Sequence, residues 1–189
     1  WYHNHNHGTA SYSMLSGLYG FIEVINPTEG LMSIPEISNA KEVKLILGES
    51  LVENKIPVDS IPIAFEFGWI PVTNGQYNPN INVKKGETVL FRIASASVEP
   101  DYKLSIEDNK VMIVGYDGNS INKNGILEDN VLVIPGGRTE FMVKFNTTGV
   151  YNLTSSGWNA GIGGFAGPPG CENIEPKCQT VCSIVFGPT

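Results

Sequence analysis

The sequence predicts an all-β protein of the antiparallel sandwich type, and three observations carry that reading. Apolar and polar residues alternate over many short runs, turn-forming residues separate those runs, and no stretch holds a convincing helical period. The composition agrees, because 21 glycines and 12 prolines in 189 residues favour frequent turns over long helices. A hydrophobic share of 41% is enough to fill a core, and the length fits one generous domain or one and a half small ones.

The runs follow one another in a regular way. Residues 18–25 read as a strand ending at the turn-like Asn26-Pro27, and residues 26–40 read as a linker with little periodicity. Residues 42–48 form the next strand, with Val43, Leu45 and Leu47 on one face. A loop-rich stretch punctuated by prolines and by Asn74-Gly75 runs to Pro79. Strands over 81–83 and 88–93 are then joined by the hairpin-like Lys84-Lys85-Gly86-Glu87. Strands over 102–106 and 111–114 flank Glu107-Asp108-Asn109-Lys110, and strands over 130–134 and 140–145 flank Pro135-Gly136-Gly137-Arg138. Residues 150–153 and 180–186 complete the set, with core strands expected at 88–93, 140–145 and 180–186.

Charge narrows the possible partners. A formal net charge of −7 argues against nucleic acid and against an anionic membrane surface, both of which need clustered Lys and Arg. No apolar run approaches the ~18 residues of a membrane span. The chain opens at Trp1 inside a dense motif, so the start of the functional unit is expected upstream.

The three cysteines fall near the end. Cys171 and Cys178 sit in a Gly/Pro-rich loop at a spacing open to a short disulfide, and Cys182 shares a strand face with Ile184 and Phe186 as a buried thiol would. The odd count leaves one cysteine over, or pairs it with a segment outside this chain. The sequons Asn146-Thr147-Thr148 and Asn152-Leu153-Thr154 mark Asn146 and Asn152 as glycosylation candidates. Together these features lean toward a secreted or extracellular protein.

The strongest chemical signal is Trp1-Tyr2-His3-Asn4-His5-Asn6-His7-Gly8, which holds all three histidines of the chain. In an extended segment residues i, i+2 and i+4 point the same way, so three imidazoles would line one face within reach of shared metal ions. Imidazole suits copper and zinc, which makes His3, His5 and His7 the metal-ligand candidates. The bland alternative is an exposed His/Asn-rich tip or a tag-like terminal tract. Flanking Trp1 and Tyr2, and the apolar run that follows, are unlike a tag.

At these residues the sequence resembles the multicopper oxidases, the family of laccases and bilirubin oxidases. Their first cupredoxin domain closes with Trp-Tyr-His-x-His, followed by a Gly-Leu-Tyr-Gly-like turn and a strand. Here those pieces read Trp1-Tyr2-His3-Asn4-His5, then Gly17-Leu18-Tyr19-Gly20, then residues 21–25. His3-x-His5-x-His7-Gly8-Thr9 looks closest to a bacterial-type subgroup, although Tyr12-Ser13-Met14 stands where that subgroup has a Gln-Val pair. Asn74-Gly75-Gln76-Tyr77-Asn78-Pro79, Val83-Lys84-Lys85-Gly86-Glu87 and Phe91-Arg92-Ile93 look like the opening of the family's second domain. Asp117-Gly118 and Val133-Ile134-Pro135-Gly136-Gly137-Arg138 match its later landmarks.

The resemblance implies a cupredoxin-like Greek-key β-sandwich. Residues 1–25 would end a first cupredoxin domain, 26–40 would link, and 41–189 would form a second, copper-free one. His3 and His5 would be ligands of a type 3 copper pair, while His7 has no family role to transfer. The family oxidises a substrate at a type 1 copper and reduces dioxygen to water at a trinuclear cluster. The remaining ligands would lie in flanking cupredoxin domains or other chains, because no His-Cys-His segment occurs here and residues 152–158 carry no copper loop. The implied parent is a copper-dependent oxidoreductase acting on dioxygen and an unidentified reducing substrate. This segment alone is expected to be inactive and to hold no catalytic residue.

Other readings are weaker. The glycine-rich residues 161–170 lack the Lys-Ser/Thr and the helix that a phosphate loop needs. Glu99/Asp101 and Glu107/Asp108 sit at turns as solvated carboxylates. No Ser-His-Asp or Cys-His set assembles, since every histidine lies in one segment. The competing function from another class is a non-catalytic extracellular structural or assembly protein built from cupredoxin domains.

Overall fold

The computed structural model describes residues 1–24, 30–53, 56–57, 69–98, 101–121, 124–156 and 179–186. In chain order the strands are β1 (Tyr2–His3), β2 (Tyr19–Gly20), β3 (Lys41–Glu53), β4 (Ile56–Pro57), β5 (Trp69–Thr73), β6 (Asn80–Val83) and β7 (Thr88–Ser95). They continue with β8 (Tyr102–Ile106), β9 (Val111–Tyr116), β10 (Asn119–Ser120), β11 (Ile126–Glu128), β12 (Val131–Val133), β13 (Arg138–Lys144), β14 (Val150–Ser155) and β15 (Gln179–Phe186). Among the described residues, helix is confined to α1 (Ala10–Leu15), a 3-10 turn (Gly30–Ser33) and α2 (Pro35–Ser38).

Two sheets face each other. An eight-stranded sheet runs β10-β9-β13-β7-β3-β4, with β11 also on β9 and β5 also on β3, and a five-stranded sheet runs β12-β8-β14-β15-β6. Most pairings are antiparallel, but β3 with β7 and β15 with β6 are parallel. The core between the sheets takes Leu45, Phe91, Ile93, Phe141 and Val143 from the larger, and Val83, Leu104, Ile106, Val133 and Leu153 from the smaller. Phe91 and Phe141 stack with centroids 5.2 Å apart, worth about 1 kcal/mol beyond the area they bury.

The turn Lys84-Lys85-Gly86-Glu87 makes no hairpin. β6 belongs to the small sheet and β7 to the large one, so the turn carries the chain across the core. The Glu87 amide donates to the Lys84 carbonyl at 3.0 Å, and the Glu87 carboxylate accepts from the Lys84 amide at 2.9 Å. The same crossing recurs between β8 and β9 and between β12 and β13. Such crossings set strands distant in sequence side by side, as β13 lies beside β7 and β15 beside β6, in the manner of a Greek key. Asn74-Gly75, by contrast, closes a tight turn in which Thr73 and Gln76 exchange backbone hydrogen bonds. Its two residues take φ of 51° and 74°, the left-handed pair that an Asn-Gly dipeptide tolerates.

Burial along β8 alternates, as a one-sided strand requires, yet β7 is buried on both faces. The reason is that two segments cover the outer face of the large sheet. From residues 30–40, Leu31, Ile34 and Ile37 pack on Leu90, Val114 and Met142. From residues 1–24, Trp1, Met14, Tyr19 and Phe21 pack on Ile46, Ala94 and Ala96. Burying a side chain such as Ile37 stabilises by roughly 1.5–3 kcal/mol.

Several expectations shift at this level. The strand expected over 18–25 is only β2 among the described residues, and the expected linker contains the 3-10 turn and α2. β5 lies in the stretch read as loop. Helices of four to six residues are too short to show a period, and here packing rather than propensity holds them. Cys171, Cys178 and residues 161–170 lie outside the described residues, as does the side chain of Cys182. Asn146 is exposed just beyond β13. Asn152 is half-buried in β14, and its amide donates to Glu107 Oε2 at 3.4 Å.

Candidate metal centre

The histidine segment is short of regular structure and ordered by side chains. β1 pairs antiparallel with β2, which sets Tyr2 against Gly20 and His3 against Tyr19. Gly20 is glycine for space: a Cβ there would lie 2.5 Å from the Tyr2 hydroxyl oxygen. Beyond His3 the chain leaves the strand and Asn4 takes over. Its amide donates to Ser13 Oγ at 2.7 Å and to Thr9 Oγ1 at 3.3 Å, and its Oδ1 accepts from the Asn6 amide at 2.9 Å. One asparagine thereby ties the loop to α1, and Ser13 is buried beneath it.

The rings follow one another closely. Trp1 stacks on His3 with centroids 4.3 Å apart and planes 17° from parallel. His3 and His5 lie 5.6 Å apart centroid to centroid, and so do His5 and His7. His3 is half-buried, whereas His5 and His7 are exposed. Among the described residues no three His, Cys, Asp or Glu side chains converge on one metal position.

His3 nevertheless carries a ligand's preparation. Its Nδ1 lies 2.9 Å from the Asn4 carbonyl oxygen. A carbonyl only accepts, so Nδ1 is the donor, and in the neutral ring Nε2 is left with its lone pair. Metal-bound histidines are commonly held in this way, with the second nitrogen donating to a backbone carbonyl. The donor set fits copper in part: it supplies oriented imidazole and needs further ligands.

The family is settled by comparison of the sequence as a whole. The multicopper oxidase family model matches residues 1–169. The chain belongs to the multicopper oxidase family. Multicopper oxidases rely on copper, so membership implies that metal as the cofactor of the intact protein. Among curated relatives, a laccase of Oryza sativa is 28% identical over 207 residues, covering 100% of this chain and 34% of its own length. A laccase of Trametes versicolor is 28% identical over 113 residues, covering 56% of this chain and 21% of its own length. Cell division protein FtsP of Glaesserella parasuis is 25% identical over 147 residues, covering 77% of this chain and 31% of its own length. Among solved multicopper oxidases, one from Campylobacter jejuni described as a metallo-oxidase superposes with a TM-score of 0.76 at 24% identity, covering 98% of this chain and 37% of that one. McoA from Aquifex aeolicus gives 0.74 at 19% identity, covering 97% and 40%. These likenesses show the cupredoxin-like sandwich. The chain thus spans a third or less of the length of the first curated relatives it matches.

Two ionisable clusters, each built around a buried carboxylate, escaped the sequence reading. In the first, Glu49 on β3 accepts from the Tyr102 hydroxyl and, at 3.1 Å, from the Val98 amide. The Tyr102 hydroxyl also lies 3.1 Å from the Gly48 carbonyl. Burial first, and then the Glu49 charge, raises the pKa of Tyr102 and of Tyr19. In the second, Arg92 Nε lies 3.2 Å from Glu42 Oε1, and its guanidinium reaches Met32 Sδ at 3.4 Å and Glu140 Oε1 at 4.0 Å. A Cβ on Gly115 would come within 2.6 Å of Glu140 Oε2, so glycine makes room for that carboxyl. Burial pushes the Glu140 pKa up against the lowering effect of Arg92 and Arg138.

Proposed function

We propose that this chain is part of a multicopper oxidase that couples oxidation of a reducing substrate to reduction of dioxygen to water. In this reading His3 and His5 are ligands of its copper cluster, and His7 is a further imidazole at its rim. Bound copper would supply the one-electron chemistry that joins the two half-reactions. The chain's own task is to hold and aim ligands. Asn4 fixes the loop, Trp1 braces the His3 ring, and the Asn4 carbonyl keeps the proton on Nδ1. The observation that carries the proposal is the contact of His3 Nδ1 with the Asn4 carbonyl, set beside His5, in a family built on copper.

The division into the end of a first cupredoxin domain (1–25), a linker (26–40) and a second domain (41–189) belongs to the same reading. So do flanking cupredoxin domains as partners, since histidine occurs nowhere after residue 7 to complete a ligand set. Secretion is a further part, with glycan on the exposed Asn146 rather than on Asn152, whose amide already serves Glu107, and a Cys171–Cys178 disulfide. Intact mass before and after deglycosylation and reduction tests it, and an unchanged mass refutes it.

The decisive experiment is copper analysis and oxygen uptake on the longer protein carrying His3→Ala or His5→Ala. Loss of dioxygen reduction is expected in both, and full activity in both would remove these histidines from the reaction. A second reading, a non-catalytic assembly protein, draws support from the relatives named cell division protein FtsP. It predicts no oxygen uptake from the unsubstituted protein.

A further inference from the structure

We infer that Tyr19 and Gly48 form a latch that positions His3, and this rests on the copper-ligand reading of His3. The two halves of the latch come from distant parts of the chain. Tyr19 on β2 is the direct cross-strand partner of His3 on β1. Its ring packs on Ile46 of β3 and on Ala94 and Ala96, whose small side chains admit a large aromatic. Its hydroxyl lies over Gly48, where a Cβ would meet that oxygen at 2.6 Å and the Cζ carbon at 3.2 Å.

Gly48 is not among the glycines with positive φ, so glycine stands there for space and not for backbone conformation. Nor is the floor beneath Tyr19 free to retreat. From the other side of β3, the buried Tyr102 hydroxyl holds the Gly48 carbonyl and the Glu49 carboxylate, and Glu49 also takes the Val98 amide. β3 is further fixed on both edges at this level, with Leu47 opposite Ser95 of β7 and Gly48 opposite Val72 of β5. A strand clamped in this manner makes a rigid seat. The phenol set on it fixes β2, and β2 fixes the backbone of His3. Tyr19 is therefore a positioning residue, and it acts through the strand that carries the ligand.

The test uses this chain with ¹⁵N-labelled histidine. Ring nitrogen spectra report the His3 tautomer in the metal-free protein, and titration with Cu(II) alone reports its affinity from broadening of the same signals. Gly48→Ala should shift His3 from the pure Nδ1–H form toward a tautomer mixture. It should also weaken Cu(II) binding by about tenfold, the low end of what losing a ligand's supporting contact costs. Adding Tyr19→Phe removes the oxygen that the new methyl strikes, so the double variant should regain both signals. A merely destabilising Gly48→Ala would not be rescued that way, and failure of rescue overturns the latch. Should Gly48→Ala not fold, Tyr19→Leu with Gly48 intact takes its place, and an unchanged His3 tautomer there overturns the proposal. The ligand reading stands or falls on the His3→Ala and His5→Ala test in the longer protein, while the tautomer shift decides the latch on its own.

Discussion

In residues 1–24 the paired strands are two residues long, the apolar side chains of Leu18, Ile22 and Val24 face solvent, and every histidine of the chain is present. Across the core, strands of up to 13 residues and the segments beside them bury Phe91, Phe141 and Phe145 completely, and no histidine occurs. The contrast teaches where order in the histidine segment comes from. A segment with one ring stack, one asparagine clamp and a two-residue hairpin cannot hold its own shape, because nucleating so little structure costs more than it returns. It borrows rigidity from β3 and β7, on which Trp1, Met14, Tyr19 and Phe21 rest. Stability and ligand chemistry are then separable, and mutations should separate them.

The largest effect should come from the core. Phe141→Ala removes a fully buried ring stacked on Phe91 and should cost about 4 kcal/mol in denaturant unfolding. Histidine spectra should change only as the chain unfolds. A loss below about 1 kcal/mol would mean that the two sheets do not depend on this contact. Glu49→Ala comes next, since it leaves the Val98 amide without its carboxylate and the Tyr102 hydroxyl with only the Gly48 carbonyl. About 1 kcal/mol is expected from a half-buried donor left without its charged acceptor. A neutral result would show that water takes over the carboxylate's place.

Glu140 sharpens the comparison through pH. Its folded pKa lies above the unfolded value of ~4.3, so folding favours the protonated acid. That contribution is complete below the unfolded pKa and is lost as pH rises through the folded one. Glu140→Gln, which keeps the shape and never ionises, should therefore gain stability relative to the parent as pH climbs out of the acid range. Urea midpoints at several pH values would show the gap widening, and a constant or narrowing gap would contradict the burial argument. The smallest stability effect belongs to His5→Ala. An exposed ring should change unfolding by less than about 0.5 kcal/mol while weakening Cu(II) binding. A large loss of stability would break the division between the two regions.

Strand positions were legible because period-2 alternation is a local property: the expected runs 88–93, 140–145 and 180–186 lie within or across β7, β13 and β15. Asn74-Gly75 was equally legible, since its turn is written in two residues. Whether a turn folds back or crosses over was not. Lys84-Lys85-Gly86-Glu87 looks like a hairpin in sequence, and only the inward faces of β6 and β7, which must meet across the core, make it an arch. The histidines announced themselves by type and spacing. Their supports did not: Gly48 matters through a phenol 29 residues earlier, and nothing near it in sequence points to that contact.

The place of β15 has a consequence for how the protein is made. It is the final described strand, yet it sits inside its sheet, between β14 and β6, with Ser183 set parallel to Asn80. Until residue 186 leaves the ribosome, β14 and β6 each offer an open edge to any passing strand. Pairing across so long a stretch of chain is also slow, because a large loop must close before the contact stabilises anything. The larger sheet, whose strands all lie before residue 145, is free to assemble earlier and to seat Trp1 and Tyr19. The histidine segment should thus be docked while half of the sandwich is still unsealed. Aggregation during synthesis, rather than loss of the docked histidine segment, is the failure to expect when β15 is damaged.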